Sequence, residues 1–123
     1  MSGTKEFTSE WYFDERGRSL AREYYRELSL DRKNKALFLF KIMAQLGKLA
    51  NTEKFRSEGD KIYAFKPLPD RFLCFFFAGS KIIITNAFEK KTDKLPVREK
   101  ERALKYKANY LARTEEGVYY EKE

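Results

Sequence analysis

The chain has 123 residues, of which 42% are hydrophobic and 16% aromatic, so it is long enough for one domain, residues 1–123, with one modest core. A lone cysteine, Cys74, excludes an internal disulfide, and the lack of histidine excludes serine–histidine and cysteine–histidine catalysis. The start of the chain is polar, and no apolar run approaches the roughly 20 residues of a membrane helix, so we expect a cytoplasmic protein without a membrane partner.

The net charge of +7 is unevenly distributed along the chain. Residues 61–113 contain 13 lysines and arginines against 5 acidic residues, whereas the remaining residues are close to balance. A general role in solubility does not require this segregation. A polyanionic partner does, because neutralising phosphates releases counterions and steers encounter.

The N-terminal part predicts one strand followed by a helix. Aromatic residues at alternating positions between Phe7 and Phe13 predict a strand with one buried face over about residues 5–13. After an acidic and glycine-containing turn, Ser19 is suited to cap a helix over about residues 20–28, where apolar residues recur every four positions.

A second helix follows, with Asp31 as its expected cap. Its apolar positions have the three–four spacing of an amphipathic face, and further apolar positions widen that face, so we expect a well-buried helix. The polar, glycine-containing residues 51–60 predict a surface loop. The apolar stripe comprises Ala36, Leu39, Phe40, Met43, Ala44, Gly47 and Ala50, and Leu37, Ile42, Leu46 and Leu49 widen it.

Three aromatic and β-branched runs then predict three consecutive antiparallel strands, at residues 61–67, 71–77 and 81–92. Residues 67–70 supply a proline-containing turn, and residues 78–80 a tight hairpin turn. Because the end of one antiparallel strand lies near the start of the next, the cations on either side of the first turn should meet at one edge of the sheet. Cys74 lies mid-strand and is expected to be a buried core residue.

The last predicted element is a basic helix that begins at Pro96 and ends near Arg113. Leu95, just before it, is a poor cap. The spacing of Val97, Leu104, Ala108 and Leu111 predicts its buried face. The tail, residues 114–123, is either flexible or adds a short strand. The resulting fold class is α+β, with a strand, two helices, an antiparallel sheet and a C-terminal helix.

The residue inventory restricts the chemistry. Neither a ligand set of clustered carboxylates nor a glycine-rich phosphate loop is present in the basic part of the sequence. RNA cleavage remains accessible because RNA carries its own nucleophile, the 2′-hydroxyl. Lysines and arginines can stabilise the anionic transition state, and a lysine among other cations has a lowered pKa that favours general-base activity.

An ordered set of motifs resembles the RelE superfamily of bacterial toxins, and is most similar to its phage-derived HigB-like group. The set comprises an Ile-Tyr-x-Phe-Lys strand that ends at Lys66, an aromatic strand that opens with Arg71, and the segment Phe88-Glu89-Lys90-Lys91-Thr92 before a proline and a basic helix. Lys66 stands where the HigB-like group usually has the arginine of a Glu-Leu-Arg-like triplet. The resemblance implies a RelE-like fold and metal-independent cleavage of mRNA, usually on the ribosome, without a cofactor.

The resemblance also implies roles for individual residues and partners. Lys66, Arg71 and Lys61 are the expected catalytic residues, and the expected RNA-binding residues are Lys90, Lys91, Tyr63, Lys81 and Lys94. The partners would be mRNA, the ribosome and a cognate antitoxin, a helix-turn-helix protein. Taken alone, a cation at a strand end is more often a solvated charge than a catalytic one, and a strand tyrosine such as Tyr63 is more often a core or sheet-surface residue.

Two alternative functions stay open at this point. One is a ParE-like toxin that inhibits a topoisomerase without cleaving RNA, and the other is a basic RNA-binding protein without catalytic activity. Arg71 and the Lys90–Lys91 pair favour the nuclease.

Overall fold

A computed structural model describes residues 7–46 and 53–120. It has the predicted α+β order of a strand, two helices, an antiparallel series of strands and a C-terminal helix, consistent with a RelE-like fold. The elements are β1 (Thr8–Trp11), α1 (Leu20–Arg26), α2 (Leu30–Leu46), β2 (Phe55–Ser57), β3 (Tyr63–Phe65), β4 (Asp70–Phe77), β5 (Lys81–Glu89) and α3 (Val97–Glu115).

The strands form one five-stranded sheet in the order β1-β5-β4-β3-β2. β2 to β5 form an antiparallel meander, as expected for the last three of these strands, and β1 adds to β5 in parallel. The hairpin between β4 and β5 turns at Ala78 and Gly79, both of which have positive φ. Two positive φ values in succession fit a turn whose twist matches that of the flanking strands.

The sheet separates two apolar cores. On one face, α1 and α2 bury Ala21, Ala36, Phe40 and Met43 against alternate strand residues that include Phe72. On the other face, α3 buries residues against the remaining strand positions, with Ala103, Tyr110, Tyr12, Phe75 and Ile83 among them. We call these the α1/α2 face and the α3 face. Cys74 is fully buried on the α1/α2 face, as expected, and burial raises the pKa of its thiol.

A buried polar group fixes α2 to the start of β4. Asp70 is completely buried and accepts hydrogen bonds from Arg32 Nε at 3.1 Å and from the Tyr24 hydroxyl. Arg32 also approaches Glu89 at 3.7 Å. Because a buried carboxylate without partners is costly, these bonds allow β4 to begin inside the molecule.

The helix predictions were correct for the first cap and wrong for the second. Ser19 caps α1, where its hydroxyl accepts from the backbone N–H of Arg22. Asp31 does not cap α2, because the helix begins one residue earlier and the Ser29 hydroxyl accepts from the N–H of Arg32 at 3.3 Å. Asp31 lies in the first turn and pairs with Lys35 instead.

The predicted burial of α2 is correct for only one of its faces. Ala36, Leu39, Phe40 and Met43 are buried, but Phe38 is 61% exposed, and Leu37 lies at the surface as well. The expected burial of a widened face was therefore wrong for Leu37. Gly47, Leu49 and Ala50 lie outside the described residues, and so does the side chain of Leu46.

Of the four residues in the predicted buried face of the C-terminal helix, only Leu104 packs against the core. Val97 is 71% exposed, and Ala108 and Leu111 are exposed as well, whereas Ala103 and Tyr110 are buried. Tyrosine has an apolar ring with a polar hydroxyl at its tip. A prediction based on the spacing of aliphatic residues therefore misses a buried face that contains tyrosines. Pro96, the predicted first helical residue, instead occupies the cap position before Val97 and makes no side-chain capping bond.

As far as Tyr120, the acidic tail forms no strand and contacts β1 and the residues that follow it. The Tyr119 hydroxyl accepts from the N–H of Phe13 at 2.9 Å, and Tyr120 donates to Glu10 at 2.7 Å. Tyr119 and Tyr120, which we call the C-terminal clasp, therefore attach the end of α3 to β1. Residues 121–123 lie outside the described part of the chain.

Candidate nucleic-acid interface

Two of the predicted catalytic residues meet at the β3–β4 turn. Phe65 pairs with Phe72, so Lys66 and Arg71 stand opposite each other one residue further along. Both Phe65 and Phe72 face α1 and α2. Because side chains alternate along a strand, Lys66 and Arg71 point to the α3 face. The convergence expected from the turn length is present in the structure.

A strand that the sequence did not predict adds two more charged side chains. Residues 55–57 lie inside the predicted loop but form β2, where Arg56 pairs with Ala64 on the α3 face. Glu58 lies two residues on and contacts Arg56 Nε at 3.4 Å. The alternation of Phe55 and Ser57 with Arg56 and Glu58 before a Gly-Asp turn was the signal available for this strand.

Residues 90–95, which follow β5, complete the lining of a surface recess. Arg56, Arg71, Lys90 and Lys94 line it, together with Glu58, Phe88, Thr92, Asp93 and Leu95. Lys90 pairs with Asp93 at 3.0 Å, and the Lys90 ammonium lowers the pKa of that carboxyl. We refer to Arg56, Lys66, Arg71 and Lys90 as the cationic cluster.

Asn86 anchors the C-terminal helix α3 to the sheet. It is buried on β5, next to the irregularity in β4–β5 pairing at Leu73 and Cys74, and donates to the Glu99 carbonyl at 3.2 Å and to its carboxylate at 2.9 Å. These bonds fix the first turn of α3 on the sheet. This anchor was not predicted from the sequence, because the partner of Asn86 is Glu99, 13 residues further along the chain.

Burial and like charge together disfavour the protonated state of the central residues. Lys66 and Arg71 are each only 9% exposed. Burial, followed by the charges of Arg56 and Arg71, lowers the pKa of the Lys66 ammonium. Burial and then Arg56 lower the pKa of the Arg71 guanidinium.

Lys66 and Arg71 also make few hydrogen bonds with their side chains. Arg71 donates from Nη1 to the Asp70 carbonyl at 3.3 Å, which uses one of its five N–H donors. Within residues 7–46 and 53–120, the Lys66 ammonium has neither a hydrogen bond nor an ion pair. A nearly buried cation without a partner is costly unless an anion completes the site.

Three of the predicted site residues, Lys61, Lys81 and Tyr63, lie away from the cationic cluster. Lys61 is exposed in the β2–β3 turn, at the opposite end of β3 from Lys66. Lys81 begins β5, roughly 25–30 Å along that strand from Lys90, and it pairs with Glu10 and lies over the Tyr120 ring. Tyr63 packs on the α1/α2 face, with its ring stacked on Phe55.

Most of the chain matches one known protein family. The model of the phage-derived protein Gp49-like family matches residues 23–108. This chain belongs to the Gp49-like family. No curated protein matches the chain. The matched span of this Gp49-like protein contains every residue of the cationic cluster, whereas β1 and the C-terminal clasp lie outside it.

Lys91 of the Gp49-like chain borders a separate cleft next to the recess. It is exposed and lines this cleft with Phe88, Pro96, Val97 and Arg98. Phe88 lines both cavities, so the recess and the cleft share one aromatic wall. Lys90 and Lys91 therefore serve different parts of the surface, although they are adjacent in sequence.

Two further observations concern metal binding and membrane spanning. No group of three or more histidine, cysteine or acidic side chains is arranged to hold a metal ion in the part of the chain that the structure describes. Among the described helices, none is long and apolar enough to cross a bilayer.

Proposed function

We propose that this protein is the toxin of a type II toxin–antitoxin system, in the RelE/ParE superfamily, and that it cleaves mRNA on the ribosome without a metal ion. The observation that carries the proposal is Lys66, a residue that is only 9% exposed and lies beside Arg56 and Arg71, and whose ammonium has no hydrogen bond or ion pair among the described residues. A phosphate diester would supply the missing anion. Membership of a phage-derived family and the excess positive charge of residues 61–113 support it.

The reaction needs four tasks from the protein. The 2′-hydroxyl attacks phosphorus, its proton passes to a base, negative charge builds on the phosphorane, and the bond to the 5′-oxygen breaks as that oxygen gains a proton. Arg71 can hold two phosphate oxygens with its planar fork, and Arg56 and Lys90 add charge stabilisation. Lys66 is suited to accept the 2′-hydroxyl proton, because its lowered pKa increases the fraction of neutral amine.

Glu58 has an orienting role in this scheme. Its carboxylate contacts Arg56 Nε at 3.4 Å, and its side chain is largely buried. It therefore holds Arg56 towards the recess and balances part of the cluster's charge. A cluster that contains no strong acid depends on placing the 2′-hydroxyl in line with phosphorus, and a ribosome already holds the codon for that purpose.

The proposed partners follow from the same chemistry. The exposed cations around the recess, Lys91 and Lys94 among them, would contact mRNA or ribosomal RNA. A cognate antitoxin, a helix-turn-helix protein in this proposal, would restrain the toxin.

The deciding experiment compares cleavage of one message, free and on programmed ribosomes, at equal protein and with a chelator present. We expect rapid cleavage on the ribosome, little on free RNA, and no effect of the chelator. Fast, metal-dependent cleavage of free RNA would overturn the proposal. Growth arrest without any cleavage would support the topoisomerase-inhibiting alternative, and RNA binding without either would support the non-catalytic one.

A further inference from the structure

Phe88 occupies a position that the proposed phosphate chemistry leaves unused. It pairs directly with Arg71 across β4 and β5. Directly opposite residues in antiparallel strands share a face, with Cβ atoms about 4.5–5.5 Å apart. The side chains of Phe88 and Arg71 are therefore neighbours on the α3 face, and both line the recess.

The Phe88 ring separates the recess from the neighbouring cleft. The cleft has a volume of about 390 Å³ and is walled by Phe88, Pro96 and Val97, with Lys91 and Arg98 exposed beside them. Ligand pockets usually begin at about 300 Å³, so this volume suits one small planar group rather than a large ligand. Two carboxylates, Glu89 and Glu99, line the cleft as well, but Glu89 approaches Arg32 at 3.7 Å and Glu99 accepts from Asn86 at 2.9 Å. With these carboxylates engaged elsewhere, the aromatic wall, the apolar neighbours and the two cations match a nucleotide.

Packing restricts the orientation of the Phe88 ring. Phe88 is partly buried and packs against the apolar core of the α3 face. Its orientation is consequently fixed by packing while part of its surface stays accessible. An ordered aromatic surface is what base stacking requires, since the protein does not have to immobilise the ring when RNA binds.

We propose that Phe88 is the stacking platform for the nucleobase next to the phosphate held by Lys66 and Arg71. The base enters the cleft, and Lys91 and Arg98 contact the following phosphate. Stacking needs an unpaired base, so the substrate class is single-stranded RNA with little dependence on base identity at this position. This inference rests on the proposed function and specifies how the substrate lies across the site.

Tyr63 provides a matched control. It is also a partly buried strand aromatic, but it packs on the α1/α2 face, away from Arg71. Phe88→Leu keeps an apolar side chain in the core and removes the ring, and Tyr63→Leu makes the equivalent change on the opposite face. Phe88→Tyr keeps the ring.

The test measures binding to ribosomes programmed with a message whose 2′-hydroxyl at the cleavage position is methylated. We expect Phe88→Leu to weaken binding roughly 5- to 150-fold, the range of one lost base stack, and Phe88→Tyr and Tyr63→Leu to bind within a few-fold of wild type. An abasic nucleotide beside the phosphate should weaken wild-type binding similarly and have little added effect on Phe88→Leu. Additive losses would show that Phe88 and the base do not interact, which overturns the inference.

A second measurement uses the wild-type protein alone, in case Phe88→Leu does not fold. A 5-iodouridine placed on either side of the phosphate should cross-link to Phe88 from one side only. A cross-link that maps elsewhere, with binding intact, overturns the stacking role but leaves the proposed function. Absence of any salt-dependent binding to RNA or programmed ribosomes overturns both.

Discussion

The chemistry proposed for Lys66 conflicts with the stability of the fold. Lys66 is only 9% exposed and lies among other cations, and its ammonium has no ion pair among the described residues. The Glu58 carboxylate offsets only part of this charge, so the charge is incompletely compensated in the folded state. We expect Lys66→Met to raise stability by about 1 kcal/mol, or roughly 3–5 °C in Tm, and to abolish cleavage. Thermal unfolding and cleavage on programmed ribosomes measure the two effects. A destabilised Lys66→Met would show that the ammonium is satisfied in solution.

The stability effect of Lys66→Met should depend on pH in a defined direction. The pKa of Lys66 is lowered in the folded protein, so between the folded value and the unfolded value of about 10.4 the unfolded chain binds more protons. Wild-type stability therefore gains from this group as pH rises through that window. The advantage of Lys66→Met should shrink towards pH 10.5 in urea unfolding. If the difference in unfolding free energy between Lys66→Met and wild type stays constant with pH, the difference arises from packing and not from the charge of Lys66.

The substitution Arg71→Lys tests whether cleavage requires the planar geometry of a guanidinium when the charge is unchanged. A planar fork can hold two phosphate oxygens, which an ammonium cannot reproduce, and Arg71 is positioned by its bond to the Asp70 carbonyl. Arg71→Lys should keep the fold and most ribosome affinity but lose about 10²-fold or more in cleavage rate, and growth arrest on expression should disappear. Single-turnover cleavage and circular dichroism measure these effects. Unchanged cleavage would reduce Arg71 to an edge charge.

At the scale of elements, the long apolar runs were predictable and the short or mixed ones were not. β4 and β5 follow from unbroken aromatic and β-branched stretches, and α1 from its spacing and its Ser19 cap. β2 has only three residues and depends on its pairing with β3, which a local pattern does not contain. The buried face of α3 was missed because its tyrosines, Tyr110 above all, pack as apolar rings.

The C-terminal clasp shows a dependence that only the folded chain reveals. Tyr119 accepts from the Phe13 N–H, and Arg113 donates to the Phe13 carbonyl at 2.9 Å while lying over the Tyr119 ring. We expect Tyr119→Phe to cost about 1 kcal/mol for the lost hydrogen bond, and Tyr119→Ala to cost more as the ring packing is lost.

Urea unfolding of the clasp variants checks this expectation, with Val118→Ala as a control. Val118 is exposed, so its truncation should change the free energy of unfolding by less than about 0.5 kcal/mol. If Tyr119→Ala is equally silent, the clasp does not contribute to stability. Cleavage by Tyr119→Phe should be unchanged, because the clasp lies at a distance from the recess.

At the scale of the whole molecule, the sequence contained the charges of the site but only part of their arrangement. The four-residue turn was sufficient to bring Lys66 and Arg71 together. Tyr63 is three residues from Lys66, and an odd separation along a strand places two side chains on opposite faces. Lys61 and Lys81 lie at the wrong ends of their strands for the cluster. Arg56 required the pairing of β2, which depends on long-range register.

The global charge of the protein also yields a prediction about affinity. Residues 61–113 hold all of the excess positive charge, and Lys90 and Lys91 contribute to it from adjoining cavities. If both contact phosphates, the double variant Lys90→Ala with Lys91→Ala should weaken binding to RNA or ribosomes without unfolding the domain. The slope of log affinity against log salt should become shallower by about 1.4, because each lost contact with single-stranded RNA removes about 0.7.

A charge-matched control separates local contact from overall field. Lys35→Ala with Lys41→Ala removes the same net charge from exposed positions of α2, on the opposite side of the sheet. A long-range field would be weakened equally by either double variant, whereas direct phosphate contacts are lost only from the α3 face. Binding titrations from 50 to 300 mM salt should therefore show the shallower slope for the Lys90 and Lys91 variant alone. Equal slopes for both double variants would remove the pair from the contact surface and leave only nonspecific attraction.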